Sequence, residues 1–216
     1  MAWQKVEPTI NLMTPEPGQK LALIGQNGRG KTYLAARLIA PYYKRQQIVV
    51  ADVKHDPTWS QYDGITVNTI DKLTRLPFPK YPLIIFRPEG ELAHDFERLD
   101  KVFAWVYKRG NTLLMIDEVS AMVPGAMGFG HGFADLLQRG RTRKCTVIMG
   151  TQRPAFVPRI VLTESQKFVL FFLTDIRDRK TVAAASHASL SQEIPDLHGF
   201  WFVDVPRGVV GYRAKL

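Results

Sequence analysis

Eight consecutive residues near the amino terminus match the phosphate-binding pattern Gly-x-x-x-x-Gly-Lys-[Ser/Thr]. They are Gly25, Gln26, Asn27, Gly28, Arg29, Gly30, Lys31 and Thr32. Glycines in a loop of this kind let successive backbone N–H groups turn towards a phosphate, and the helix expected behind the loop adds the positive end of its dipole. Lys31 would reach the β- and γ-phosphates, and the Thr32 hydroxyl would bind the Mg²⁺ that accompanies the nucleotide. The segment therefore predicts a nucleotide site.

A pair of carboxylates follows an apolar run further along the chain. Leu113–Ile116 are apolar and lead directly into Asp117 and Glu118, so a buried strand would deliver both acids to its carboxyl end, in the form of a Walker B motif. Asp117 would hold Mg²⁺ directly or through water, and Glu118 is placed to act as general base on an attacking water. Apolar residues followed by two acids are common, but downstream of a complete phosphate-binding loop they predict hydrolysis.

A third segment ends in polar residues that a nucleotide could contact. The apolar run Cys145–Gly150 leads into the sequence Thr-Gln-Arg-Pro at residues 151–154. The Gln152 amide could hydrogen-bond the γ-phosphate or the attacking water and so report whether the phosphate is present. The segment just before this strand, Arg139–Lys144, is densely cationic, and such a run usually marks a solvated basic face.

The elements that must position these groups alternate along the chain. Apolar runs bounded by turn residues predict strands, and apolar residues at helical spacing predict helices. The predicted strands are Leu21–Ile24, Ile48–Val53, a short one near Thr66, Leu83–Arg87, Thr112–Ile116, Cys145–Gly150, Phe168–Leu173, Phe200–Asp204 and an edge strand at Val209–Arg213. The predicted helices are Tyr33–Ile39, a turn near Asp71, Leu99 to about Lys108, Phe133 to Arg139, and Asp178–His187. This alternation indicates an α/β fold with a mainly parallel sheet and helices on both faces.

The amino-terminal residues 1–19 are interrupted by Pro8, Pro15 and Pro17, with Gly18 close behind. Proline and glycine at this density prevent a long regular element. We expect an irregular arm or a short edge strand here, and a single P-loop ATPase domain over residues 20–216.

Two later loops carry residues of interest. The strand Ile48–Val53 closes in a polar loop, and polar residues at the carboxyl end of a parallel strand face the ligand crevice. The segment Gly125–Gly132 is too rich in glycine to be regular. It is either a mobile loop or a loop that projects towards a substrate, since loops of this length are often functional; the residues expected at its tip are Met127, Phe129 and His131.

Composition narrows the class of protein. The chain has 216 residues, 45% of them hydrophobic, with one cysteine, so neither an intramolecular disulfide nor a cysteine metal cluster is expected. No apolar run approaches the ~20 residues needed to span a bilayer, and we expect a soluble protein in a reducing, cytosolic setting. The 29 Lys and Arg against 20 Asp and Glu give a formal charge of +9. A surplus of this size suits binding to a nucleic-acid backbone, although solubility alone also tolerates it.

Together these motifs resemble the FtsK/HerA superfamily of DNA-pumping ATPases. The most specific part is an arginine-bearing helix end, Leu136–Arg141, followed by a strand that closes in Thr-Gln-Arg-Pro at residues 151–154. The resemblance covers about residues 20–204. Within the superfamily, the compact chain is most similar to the genome-packaging ATPases of membrane-containing icosahedral viruses.

The resemblance implies a RecA-like fold in which the strand before Gln152 lies between the P-loop strand and the Walker B strand. It implies ATP and Mg²⁺ as cofactors, Lys31 and Thr32 as Walker A residues, Asp117 and Glu118 as the Walker B pair, and Gln152 as sensor. Arg141 matches the arginine finger, which reaches the nucleotide of a neighbouring subunit. Nearby arginines that compete for this role are Arg139, Arg143, Arg153 and Arg179.

The resemblance also implies partners. Family members form rings, usually hexamers, around double-stranded DNA, so we expect ATP-driven DNA translocation into a capsid, in the host cytoplasm or on the virion, with contacts to capsid vertex or membrane proteins. The Gly125–Gly132 loop is a candidate for the DNA channel. Because it lacks Lys and Arg, its backbone N–H groups or His131 would have to contact phosphates, or another basic loop such as Lys54-His55 would.

Three alternatives stay open at this point. An assembly ATPase of a filamentous phage shares the core but usually carries a membrane segment. A P-loop phosphotransferase would need a lid and an acceptor pocket, and its products would include a phosphorylated small molecule. A nucleotide-gated scaffold would bind ATP without hydrolysing it, which the presence of Glu118 disfavours.

Overall fold

Short, almost fully buried apolar runs form the sheet at the centre of the molecule. The computed structural model describes residues 3–77, 82–125, 128–192, 195 and 197–214. Within them the strands are β1 (Gln4–Lys5), β2 (Lys20–Ile24), β3 (Gln47–Ala51), β4 (Ile65–Val67), β5 (Leu83–Phe86), β6 (Thr112–Ile116), β7 (Thr146–Thr151), β8 (Lys167–Phe171), β9 (Phe200–Asp204) and β10 (Val209–Arg213). Seven of them, β2, β3 and β5 to β9, are continuous apolar runs or nearly so, which is typical of strands covered on both faces.

The strands lie in the order β1-β10-β9-β8-β2-β7-β6-β3-β5-β4. All pairs from β8 to β4 are parallel, whereas β9 runs antiparallel to both β8 and β10. The strand β7 lies between β2 and β6, as the family resemblance predicted. The carboxyl ends of β2, β7, β6 and β3 therefore meet at one edge of the sheet.

Helices cover both faces, as the alternating pattern predicted. They are α1 (Ile10–Met13), α2 (Lys31–Ile39), α3 (Ile70–Arg75), α4 (Phe96–Arg109), α5 (His131–Arg139), α6 (Ile160–Thr163) and α7 (Ile176–Ala185). One hydrophobic core packs α1 and α2 against one face, and the other packs α3 to α7 against the opposite face. None of the helices within the described ranges is long and apolar enough to cross a membrane.

Two sequence-based expectations are wrong in their details. The strand β10 is not at the edge of the sheet, because β1 pairs with it in parallel through Gln4 and Lys5.

The helix α5 begins at His131, two residues before the predicted start, so His131 does not lie at a loop tip. The cause is Asp100 on α4, whose carboxylate accepts the N–H groups of Gly132 at 2.8 Å and Phe133 at 2.9 Å and so replaces a local cap. Met127 lies outside the described residues.

The amino-terminal residues are tied to the sheet by a buried lysine. Lys167, the first residue of β8, is 1% exposed. Its ammonium donates to the carbonyls of Leu12, in the last turn of α1, at 2.7 Å and of Thr14, just after α1, at 2.9 Å. It also lies 3.8 Å from the buried carboxylate of Asp204. A buried charge needs such partners. Lys167 thus joins α1 to the amino end of β8.

Replacing this lysine should destabilise the whole domain. Lys167→Met leaves Asp204 buried without its ammonium partner and removes the hydrogen bonds to Leu12 and Thr14 at the end of α1, so we expect the free energy of unfolding to fall by about 3 kcal/mol. Urea denaturation measures it. Lys5→Met, which changes an exposed lysine of β1, is the matched control and should cost less than about 0.5 kcal/mol; equal losses in the two variants would contradict the buried-pair interpretation.

Candidate active site

A cavity of about 230 Å³ opens at the carboxyl ends of the central strands. It lies where the phosphate-binding loop leaves β2 and the Walker B acids leave β6. The residues that line it are Asn27, Gly28, Gly30, Lys31, Thr32, Tyr33, Lys54, Asp56 and Asp117. The phosphate-binding and Walker B motifs contain most of these residues. Tyr33, Lys54 and Asp56 lie outside the motifs, although the loop of Lys54 and Asp56 was expected to face the ligand crevice.

Glycine is required at two places in the phosphate-binding loop. Gly30 directly precedes α2 with φ +92°, a left-handed conformation that other residues rarely adopt. Gly25 follows β2 with φ +154°, and a Cβ atom there would lie 2.6 Å from the Cβ of Phe171 on β8. The side chains of Gln26 and Arg29 contact the segment after β8, where the Gln26 amide donates to Thr174 and the Arg29 guanidinium stacks on Phe172. The loop is therefore braced against β8.

The P-loop lysine is buried and folded back on its own loop. The Lys31 ammonium donates to the carbonyls of Gly25 at 2.8 Å and Gln26 at 2.9 Å. Burial, followed by repulsion from Lys54, lowers the pKa of Lys31 to about 8. Two backbone carbonyls compensate this ammonium only partly, and a phosphate in the cavity would complete the compensation.

Thr32 and Asp117 meet at the floor of the cavity. The Thr32 hydroxyl donates to Asp117 Oδ1 at 3.2 Å. The other oxygen, Asp117 Oδ2, is buried and has no hydrogen-bond partner among the described residues. Burial raises the pKa of Asp117. Lys54 and the hydrogen bond from Thr32 act in the opposite direction, and Asp52 and Asp56 add to the increase. A hydroxyl beside an uncompensated carboxylate fits Mg²⁺, which needs only one or two carboxylates because water and substrate phosphates supply its other ligands.

The predicted general base is held by three donors. Glu118 is 5% exposed. Its Oε2 accepts from the Lys54 ammonium at 3.0 Å and from the Gln152 amide at 3.1 Å, and its Oε1 accepts from the Ser120 hydroxyl at 2.9 Å. The predicted base and sensor are therefore in direct contact. Gln152 reaches this position because β7 lies beside β6 in register.

Lys54 and Asp56 belong to a loop that is held in place by a buried ion pair. Asp52, fully buried after β3, accepts from the Arg87 guanidinium at 2.8 Å and from the backbone N–H of Asp56 at 2.9 Å. Arg87 also donates to the Asp56 carbonyl and to Ser60. A buried ion pair of this kind fixes the loop geometry. The sequence rule that polar residues after a parallel strand face the crevice pointed to this loop. The loop was also named as one of the basic segments that could contact DNA, and in the structure the Lys54 ammonium lies on Glu118 in the cavity.

Arg141 lies at the opposite ends of the central strands from the cavity. Its backbone approaches Gly18, which precedes β2, so closely that a Cβ atom on Gly18 would lie 2.8 Å from the Arg141 carbonyl. The Gly18 N–H in turn donates to Thr146, the first residue of β7. Arg141 therefore stands at the amino ends of β2 and β7, where it cannot reach the cavity of its own chain. Within the described ranges its exposed side chain has no ion pair.

Three of the four competing arginines are already engaged within the chain. Arg139 pairs with Asp135 at 3.1 Å, and the Arg143 guanidinium donates to the carbonyls of Tyr107 and Lys108 at the end of α4. Arg153 pairs with Asp178 at 2.7 Å and Asp175 at 3.3 Å. The fourth, Arg179, is half-buried on α7. Arg141 is thus the candidate arginine that is exposed and, within the described residues, has no ion pair.

Comparison with known proteins identifies a relative of the chain. The DNA packaging ATPase P9 of Enterobacteria phage PRD1 is 30% identical over 175 residues, which cover 80% of this chain and 72% of P9. No protein-family model matches the chain.

Solved structures match the fold at low sequence identity. The genome packaging NTPase B204 from Sulfolobus turreted icosahedral virus 2, in complex with AMPPCP, has a TM-score of 0.73 at 16% identity, over 93% of this chain and 99% of B204. VirB4 of Thermoanaerobacter pseudethanolicus has a TM-score of 0.59 at 11% identity, over 88% of this chain and 87% of that chain. The predicted RecA-like P-loop fold is confirmed.

Nucleotide affinity should depend on the protonation of Lys31. An ammonium whose pKa is lowered to about 8 loses its proton as the pH rises through that value. The affinity for ADP, measured by calorimetry in EDTA so that no metal intervenes, should therefore fall by about tenfold between pH 7 and pH 9. Lys31→Arg keeps its charge over this range and is the matched control, with a flat profile expected; the same fall in both proteins would assign the titration to another group.

Proposed function

The chain belongs to the viral DNA-packaging ATPases of the FtsK/HerA superfamily, and we propose that it uses ATP hydrolysis to move double-stranded DNA into a capsid. It is an ATPase and a genome-packaging NTPase. The observation that carries the finer proposal is the site itself. A P-loop lysine, a buried Walker B pair and a sensor amide converge on one cavity in a chain that resembles P9 over 80% of its length.

The side chains divide the chemistry among themselves. Lys31 binds the β- and γ-phosphates of ATP, and Thr32 and Asp117 hold Mg²⁺, which when bound neutralises charge on the phosphates. Glu118 takes the proton of the attacking water. The water oxygen forms the new bond to the γ-phosphorus, the bond to the ADP oxygen breaks, and ADP leaves with that electron pair. Gln152, which contacts Glu118, monitors the γ-phosphate.

We assign the arginine finger to Arg141 of a neighbouring subunit. The position of Arg141 at the amino ends of β2 and β7 supports this role, because a neighbour packed against the carboxyl edge would present its Arg141 to the cavity. A fixed cation there offsets the charge that develops on the transferred phosphoryl group. A contact between unlike surfaces of identical subunits is heterologous and closes into a ring when the rotation from one subunit to the next allows it, and we propose a hexameric ring with DNA in its channel.

The formal charge of +9 supports an interaction with the DNA backbone. The segment after Pro124 is our candidate for the channel. Its described residue Phe129 is 41% exposed, and His131 is exposed at the first turn of α5. We place the working protein on the virion or in the host cytoplasm, in contact with capsid vertex or membrane proteins.

DNA should control the rate of ATP hydrolysis. We expect weak turnover without DNA and stimulation by double-stranded DNA that fades between about 50 and 200 mM salt, because contacts to phosphates release counterions. Release of inorganic phosphate measures the rate, and the DNA-free rate at each salt concentration is the control. A full rate without DNA, or transfer of the phosphate to a small molecule, would remove the translocase proposal.

Mixing two inactive variants tests whether the site is shared. Arg141→Ala and Lys31→Ala rings should each lose about 10³-fold or more in turnover. In a mixed ring, a Lys31→Ala subunit still offers Arg141 to an intact P-loop on its neighbour, so roughly a quarter of the sites in an equimolar mixture should recover. Arg139→Ala is the matched control and should retain most of its activity alone. No recovery on mixing would place the finger elsewhere.

A further inference from the structure

Lys54 lies in the ATP cavity, although none of the sequence motifs contains it. It follows β3 at the carboxyl end, lines the same cavity as Lys31 and Thr32, and its side chain is 35% exposed. The Asp52–Arg87 pair fixes the loop that carries it. The backbone position of Lys54 is therefore set by the buried ion pair, whereas its partly exposed side chain can move from one partner to another.

Two ammonium groups face this cavity. Lys54 is near enough to Lys31 to contribute to the lowered pKa of Lys31. Like charges held together in one cavity indicate an anion as the common ligand. A diphosphate satisfies one of them through Lys31, whereas a triphosphate carries a third phosphate with additional charge for the second.

The partner of Lys54 in this structure is the catalytic base. Lys54 Nζ lies 3.0 Å from Glu118 Oε2, which the Gln152 amide also contacts, and Ser120 occupies Oε1. Oε2 already accepts two hydrogen bonds, so it must give one of them up before it can accept a proton from water, whereas Oε1 accepts only one. The ion pair with Lys54 is the contact that an incoming phosphate can compete for.

We propose that Lys54 is a second phosphate-binding lysine, which moves from Glu118 to the γ-phosphate of ATP and thereby frees Glu118 to accept the proton of the attacking water. The inference rests on the proposed role of Glu118 as general base. ADP has no γ-phosphate and leaves Lys54 on Glu118. One side chain thus couples recognition of the triphosphate to release of the base.

The first test compares affinities for AMPPNP and ADP, measured with Mg²⁺ and without DNA. Lys54→Met removes the charge and keeps the length. Lys54→Met loses the contact to the γ-phosphate in the AMPPNP complex, but it loses the contact to Glu118 in the free protein and in the ADP complex. Because the change in affinity reflects the difference between these two contacts, AMPPNP binding should weaken by about tenfold, and ADP binding by less than about threefold. Lys54→Arg retains a cation and should recover most of the preference. Lys72→Met, which changes an exposed lysine of α3, is the matched control and should match the wild type.

An equal loss for both nucleotides, or no loss for AMPPNP, overturns the proposal. The melting temperature of Lys54→Met identifies unfolding, and Lys54→Arg keeps the test valid in that case. Because the binding measurements contain no DNA, failure of the DNA-translocation proposal would leave them unaffected, so the two failures are distinguishable.

A double-mutant cycle tests the change of partner itself. In the absence of nucleotide, the stability losses of Lys54→Met and Glu118→Gln should be non-additive, because each variant removes the same ion pair. With saturating AMPPNP the coupling should disappear, since Lys54 then contacts phosphate. A coupling of equal size in both states would mean that Lys54 never leaves Glu118, and the switch would be excluded.

Discussion

The constraint on which the site depends is the compensation of buried charge at one edge of a parallel sheet. Lys31, Asp117 and Glu118 are 7%, 4% and 5% exposed, and none can carry its charge there without partners. Glu118 is fully compensated by Lys54, Gln152 and Ser120. Among the described residues, Lys31 has only backbone carbonyls as partners, and Asp117 keeps one oxygen without a partner. The uncompensated charge is thus positive beside the phosphate loop and negative beside Thr32. This distribution of charge is complementary to a phosphate accompanied by its cation.

The parts of this site that the sequence predicts are those determined locally. A strand, a glycine-rich loop and a helix in succession define the phosphate cradle, and an apolar strand that ends in two acids defines Asp117 and Glu118. The contribution of Lys54 is different in kind. It depends on β3 pairing with β6 in the register that sets Ala51 beside Ile116, and this pairing joins segments 64 residues apart. A rule about strand ends identified the loop, but only the sheet order identifies its partner.

The same distinction between local and distant contacts explains the errors in the predicted fold. The glycine-rich pattern before Phe133 argued against a helix, yet Asp100 on α4 caps the backbone at Gly132 and starts α5 earlier. A short edge strand was one of the two expectations for residues 1–19, and β1 is such a strand. The error concerns β10, which was predicted at the edge but is covered there by the two residues of β1. In both cases a contact distant in sequence outweighs local propensity, so element types were predicted well and element ends less well.

The direction of the strands also restricts how an arginine finger can reach the nucleotide. Parallel strands of five or six residues span roughly 17 to 20 Å, and that length separates the amino ends of β2 and β7, where Arg141 lies, from the cavity at their carboxyl ends. A guanidinium on Arg141 can therefore meet a γ-phosphate only if the amino edge of one sheet faces the carboxyl edge of another. Such an interface joins unlike surfaces, so an open assembly leaves one terminal subunit with a site that lacks the arginine and the other terminal subunit with an unused Arg141. Closure into a ring is the arrangement in which every P-loop has both its own Glu118 and a neighbour's arginine.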